Sequence, residues 1–227
     1  MKIELDYSLT EELRSLIWRR RETWGKEFHR SDAVYCPLKA YCRMTGIEAR
    51  PREQVVERWI IGELAHMIIE RAFKQTEVEV LFNGSSAHID VLYIDSPLEI
   101  KTSTLSIMNS VQLPEAWLKQ LLYGMVFVNK REGILLTLDV VNKVLLAWKV
   151  RVSKKELVAA SKEFRQRKRA ILEAVKTGNW KLLKPKLEEC SSCPYNYEGG
   201  CPIVGGGIEN EKRQYKRTTG AASQEAE

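Results

Sequence analysis

Asp90 and the triplet Glu99-Ile100-Lys101 are the residues of this 227-residue sequence best suited to chemistry. Asp90 falls in one run of strand-forming residues and the triplet in the next, with Asp95-Ser96-Pro97-Leu98 reading as the turn between them. A symmetric loop centred on Ser96-Pro97 pairs Ile94 with Glu99. Strand side chains alternate, so Asp90, Glu99 and Lys101 then share one face. Two carboxylates and an amine on one side of a sheet are costly to bury without partners, and a divalent cation is a natural occupant. That register also sets Asp90 opposite residue 103, roughly 13 Å along the strand from Glu99 at ~3.3 Å per residue. One ion can reach both carboxylates only if the hairpin is splayed or its pairing is shifted by an even number of residues.

Two other groups bear on the same centre. Gly62-Glu63-Leu64-Ala65-His66 lies in a helical stretch, where a glycine costs about 1 kcal/mol relative to alanine. A close approach of that helix to the sheet explains the glycine, and His66 can then offer nitrogen beside the carboxylate oxygens, a donor mixture suited to manganese. His88, two residues before Asp90, is an alternative. Gln120 and Tyr123 stand three apart on a later helix, spaced to hold a phosphate or steady the lysine. Tyr123 also fits a core stripe with Leu121, Leu122 and Phe127.

Cysteine supplies the second chemistry. Cys190-x-x-Cys193, followed after seven residues by Cys201, is a metal-binding spacing. A fourth sulfur is needed, from Cys36 or Cys42. Cys36, Cys193 and Cys201 are each followed by proline, which stiffens the chain leaving the sulfur and favours Cys36, with Cys42 spare and buried. The set would staple the two ends of the chain together. Four thiolates suit zinc or an iron–sulfur cluster equally.

The elements that must position these groups follow from periodicity and punctuation. Ser8-Leu9-Thr10-Glu11 is a capping box opening a helix to about Gly25, and a second helix is expected over 53–73 with Val56, Ile60, Leu64 and Ile68 on its apolar face. Strands are expected at 77–82, 87–94, 98–104, 133–141 and 144–152, with a helix from Pro114 to before Asn129. Ser153-Lys154-Lys155-Glu156 caps a basic helix ending near Gly178. The parts are residues 1–50, with the first helix and cysteine segment; 51–152, the core; 153–204, the basic helix and cysteine triad; and 205–227, a tail expected to be disordered. The fold class is mixed α/β, with a small helical lobe built from both chain ends.

Hydrophobic residues make up 44% and charged residues 29%, ordinary for a soluble globular protein, and no apolar run is long enough to span a bilayer. The N-terminus carries no signal-peptide core, so a cytoplasmic protein is expected, and a reducing compartment argues against disulfides. A net charge of +6 and a pI near 9.0 favour a polyanionic partner. Arg19, Arg20 and Arg21 beside Trp18 and Trp24, and Arg165, Arg167, Lys168 and Arg169, are the candidate DNA contacts.

In chain order these pieces resemble the Cas-four exonucleases, RecB-like PD-(D/E)xK nucleases of CRISPR adaptation systems. The likeness runs from SDAVYCPLKAYC to the last three cysteines, through Gly62 to His66, Asp90, Glu99-Ile100-Lys101 and Gln120 to Tyr123. It implies a restriction-endonuclease-like core and a four-iron–four-sulfur cluster on Cys36, Cys190, Cys193 and Cys201. It also implies magnesium or manganese on His66, Asp90, Glu99 and the Ile100 carbonyl, with Lys101, Gln120 and Tyr123 completing the catalytic set. The implied activity is exonucleolytic cleavage of DNA, typically single strands from a 5′ end, trimming DNA for insertion into CRISPR arrays alongside the Cas-one and Cas-two integrase. A RecB-like repair or viral nuclease outside CRISPR, and a non-catalytic DNA-binding scaffold, are the alternatives.

Overall fold

The computed structural model describes residues 26–103 and 113–204. The helix expected at 8–25, with Trp18, Trp24 and the three arginines, and the tail at 205–227 lie outside the described residues.

The β-branched and aliphatic runs form one five-stranded sheet in sequential order: β1 (Thr76–Phe82), β2 (Ser85–Tyr93), β3 (Ser96–Ser103), β4 (Glu132–Asp139) and β5 (Val144–Arg151). Neighbours are antiparallel except β3 and β4, which are parallel. A parallel pair cannot be closed by a hairpin, and the apolar segment between them supplies the crossover helix α3 (Glu115–Phe127). The other helices are α1 (Pro37–Met44), α2 (Glu53–Glu70) and α4 (Lys154–Thr177). A 3-10 turn, Arg30–Ala33, precedes α1, and two more, Trp180–Leu182 and Leu187–Ser192, follow α4. The mixed α/β class expected from the sequence is the one observed, and the mixed sheet is consistent with a restriction-endonuclease-like core. No helix among the described residues is long and apolar enough to cross a membrane.

Helices cover both faces of the sheet. Val91, Leu98, Ile100 and Leu136 pack under Ile69 and Phe73 at the end of α2, while Leu135 meets Leu121 and Met125 of α3 on the other face. Around Phe164 of α4 a larger core gathers Tyr123, Phe127 and Phe82 with the α1 segment and its cysteines. The capping box of α4 forms as its sequence requires: Glu156 N donates to Ser153 Oγ (3.2 Å), Ser153 N donates to Glu156 Oε2 (2.7 Å), and Gly178 ends the helix at φ 67°.

Two local expectations need correcting. On α2, Val56 is buried and Ile60 half-buried as expected, but Leu64 and Ile68 are 49% and 65% exposed; in this second half the buried side turns to Ala65 and Ile69, with Phe73 packing just past the helix. This rotation turns His66 toward the sheet. The β2–β3 turn is not Ser96-Pro97 but Ile94-Asp95, since Tyr93 pairs with Ser96 and Leu92 with Pro97. Ile94 and Asp95 both adopt positive φ (47° and 61°), the two-residue primed turn whose twist matches the flanking strands.

Candidate active site

Moving that turn resolves the register problem. Val91 pairs with Leu98 as the last pair of the ladder, and continuing that register would set Asp90 opposite Glu99 rather than opposite residue 103. The shift is even, so parity alone would keep the shared face. At Asp90 the strand itself breaks alternation. Ile89 points toward α3, where a Cβ on Gly124 would come within 3.3 Å of it, yet Val91, two residues on, packs against the α2 side. Across from Asp90, Glu77 of β1 has φ 49°, and no 77–90 pair forms. The distortion leaves the Asp90 carboxylate between strands, where Oδ2 accepts a hydrogen bond from Ile100 N at 2.7 Å.

Glu99 is buried between two cations. Its Oε1 accepts from Lys101 Nζ at 2.6 Å, and its Oε2 from Arg30 Nη2 at 2.9 Å. Burial opposes the charge on Glu99, but Arg30 and Lys101 outweigh it and hold the carboxyl below its usual range. For Lys101 burial again opposes charge, and Glu99 and Asp90 prevail, raising the ammonium's pKa. For Asp90 the balance tips the other way: burial, then the neighbouring Glu99 charge, outweighs Lys101, Arg30 and His66 and pushes it up to about 6. A carboxylate in that condition gains from a nearby cation.

His66 Nδ1 lies 3.9 Å from Asp90 Oδ2 and 3.5 Å from Glu70 Oε1. That Glu70 oxygen is buried with no hydrogen-bond partner, and burial raises the carboxyl's pKa. An orphaned buried carboxylate oxygen beside an imidazole and a second carboxylate is a donor set that fits a divalent cation. Among the described residues, no three side chains of metal-ligating type stand at a geometry that would hold an ion. His88 is out of reach: its side chain is exposed and lies 3.3 Å from Glu77.

The helix pair divides. Gln120 comes to the site, its backbone carbonyl accepting from Arg30 Nη1 (3.4 Å) and its amide oxygen from the Tyr35 hydroxyl (3.3 Å). Tyr123 does not. Its ring packs on Phe164 at 5.3 Å between centroids, fully buried, on the side of α3 that meets α4. Gly62 of α2 approaches β3 as expected, though a Cβ there would rest 3.4 Å from Thr102 Oγ1, an ordinary contact. The closer approach is at Gly124, where a Cβ would lie 2.7 Å from Arg30 Nη1.

Arg30, Tyr35 and Glu70 are the residues that sequence reasoning missed. Burial raises the pKa of Tyr35, with Lys101 and Glu99 close enough to act on it electrostatically. A glutamate four residues after His66 was a usable signal for Glu70, because i and i+4 share a helix face.

All five cysteines are free, and four of them, Cys36, Cys42, Cys193 and Cys201, belong to or pack against one core. Cys36 N donates to Glu189 Oε2 at 2.8 Å, and its sulfur accepts from Lys186 N at 3.4 Å, tying the two chain ends. Cys42, expected to be spare, and Cys201 act on one another, an interaction that lowers the Cys201 thiol to about 7 and raises that of Cys42. Burial raises Cys190, with the charges of Cys36 and Cys201 adding to it, and lifts Cys193 to about 11. Thiols from both ends acting on one another fit a thiolate-bound group in donor chemistry.

No protein-family model matches the chain, and no curated protein matches it. Among solved structures, the crystal structure of SSO0001 superposes with a TM-score of 0.53 at 15% identity, covering 88% of this chain and 99% of that one. An alkaline exonuclease from Laribacter hongkongensis, LHK-Exo, gives 0.47 at 15% identity over 74% and 97% of the two chains. The likeness to SSO0001 is one of fold.

Proposed function

We propose that the chain is a divalent-metal-dependent DNA exonuclease. The observation that supports this reading is the meeting of three groups across β2 and β3: Asp90 Oδ2 accepts from Ile100 N at 2.7 Å, and the Lys101 ammonium lies 2.6 Å from the adjacent Glu99 carboxylate. A magnesium or manganese ion on Asp90, Glu99, His66 and the Ile100 carbonyl would supply Lewis acidity and lower the pKa of water. Lys101 would stabilise charge developing on the phosphate, and release of Arg30 from Glu99 would free one carboxylate oxygen and present a guanidinium to the substrate. Gln120 would steady the Arg30 side. Tyr123, wedged on Phe164, would serve by fixing α3 rather than by touching substrate.

The finer reading is 5′-to-3′ trimming of single strands during CRISPR spacer acquisition, with a four-iron–four-sulfur cluster on Cys36, Cys190, Cys193 and Cys201 and the Cas-one and Cas-two integrase as partners. It rests on the motif order in the sequence. The fully paired Glu99, with both oxygens engaged by cations, favours a second reading, a non-catalytic DNA-binding scaffold. Purified protein incubated with 5′- and 3′-labelled single and double strands, in manganese or EDTA, separates them. Manganese-dependent shortening from the 5′ end supports the exonuclease; intact DNA in both conditions supports the scaffold.

A further inference from the structure

The cations of α4 fall into two sets. Arg167 and Lys168 are committed internally: Arg167 bonds Glu163 Oε1 (2.9 Å) and the Ala33 carbonyl (3.1 Å), while Lys168 Nζ donates to the carbonyls of Asn83 and Gly84, both at 3.0 Å. They tie α4 to the turn bearing Arg30 and to the hairpin that leads into β2. Lys155, Lys162, Arg169 and Lys176 instead recur every seven residues, all exposed, with exposed Arg165 between them on the same face. None of these five makes an ion pair or hydrogen bond among the described residues.

Seven-residue spacing drifts by only about 20° per repeat, so the cations form a nearly straight row. At ~1.5 Å per residue it is about 32 Å long. Between the sevenfold cations the face carries Val158, Arg165, Leu172 and Glu173, so the row holds five cations and one acid, Glu173. Of the helix's three glutamates, Glu156 caps Ser153 and Glu163 binds Lys119 and Arg167, while Glu173 stands between Arg169 and Lys176 and lines the same groove as they do. Five cations to one acid is a strong excess of one sign, and a seam for another helix would be apolar. Arg165, Arg169 and Lys176 also line a groove of about 490 Å³ beside Asn83 of the hairpin.

A straight, rigid row of fixed cations matches a stiff polyanion. Double-stranded DNA has a persistence length of about 50 nm, and 32 Å corresponds to about nine base pairs at ~3.4 Å each. The row offers no aromatic side chain, whereas single-strand sites combine charge with rings on which bases stack. We infer that this face of α4 seats the phosphate backbone of the duplex part of a DNA substrate. It shares no residue with the acidic centre, and it rests on the reading of the protein as a DNA-processing enzyme.

The test is fluorescence anisotropy of the full chain in EDTA, with a 30-mer duplex and the matching single strand, over about 50–300 mM salt. In the variant carrying Lys155→Gln, Lys162→Gln, Arg169→Gln and Lys176→Gln, duplex affinity should fall about 30- to 100-fold. The slope of log affinity against log salt should shrink by about 3 to 4, at ~0.9 per lost phosphate contact. A charge-matched control with Lys74, Lys143, Lys181 and Lys184 changed to Gln should alter the slope by less than about 1, because those lysines lie off the row. An unchanged slope in the row variant, an equal loss in the control, or an equal loss on single strand and duplex overturns the proposal. Manganese-dependent cleavage by the wild type, measured in parallel, judges the nuclease reading separately.

Discussion

The acidic centre and the cysteine lobe are built on opposite terms. At the centre the backbone does the positioning: a two-residue turn at Ile94-Asp95 sets the register, and Ile100 N, Arg30 and Lys101 hold the carboxylates within hydrogen-bond distance. In the lobe the cysteines sit in or beside short 3-10 turns and α1, joined across the chain ends by single hydrogen bonds such as Cys36 N to Glu189. Charges that pair with one another define a geometry without a ligand. Thiols raised by burial are poor donors to each other and gain a defined arrangement chiefly from the group they would bind. One segment joins the two regions, because Arg30 and Tyr35 reach the centre immediately before Cys36 enters the lobe.

The largest expected effect separates the two by function. Lys101→Ala should lower manganese-dependent cleavage at least about 1000-fold, measured on end-labelled DNA, while leaving DNA affinity and absorption near 400 nm intact. Cys190→Ala should do the reverse in order: the absorption is lost first, and melting falls by about 10 °C or more, taking several kcal/mol of linked binding energy at ~2–4 °C per kcal/mol. Equal loss of absorption in both variants would show that the regions are not separable.

A smaller effect sharpens the contrast through pH. Asp90 titrates near 6 in the fold against 3.8 unfolded, so the folded state binds the proton more tightly and this group's contribution to stability falls as pH rises between those values. Asp90→Asn removes the penalty. Without metal it should stabilise the fold by on the order of 2–3 kcal/mol above about pH 6, vanishing toward pH 4, as read from urea midpoints. The same ionisation governs cation binding, so manganese affinity of the wild type should weaken as pH drops below about 6. The mildest change is Gly124→Ala, whose methyl would meet Arg30 at 2.7 Å and push it off Glu99. A loss of about 3- to 10-fold in cleavage with little change in folding is expected.

Much of this arrangement was legible in the sequence. The five strands and the helices after residue 50 lie within a few residues of their predicted places, because period-two and capping patterns are local. The common face of Glu99 and Lys101 follows from parity, which any even shift preserves, whereas Asp90 sits where alternation breaks, a distortion with no local sequence signal. The turn was not legible: Ile94 looks like a strand residue and is 80% exposed, while Pro97, a turn-former by composition, lies buried in β3. Arg30 carried no signal, since nothing in its neighbourhood announces a partner 69 positions away. Gln120 and Tyr123 parted because three residues leave a 60° offset on a helix, enough for one to face the Arg30 segment and the other Phe164.

Whether Asp90, Glu99 and Lys101 form one metal-dependent hydrolytic centre is decided by comparing wild type with Asp90→Ala on labelled DNA across a manganese titration. Cleavage by the wild type should rise with manganese and be abolished in the variant, with DNA binding retained by both. Cleavage by Asp90→Ala at the wild-type rate and manganese dependence would contradict that assignment.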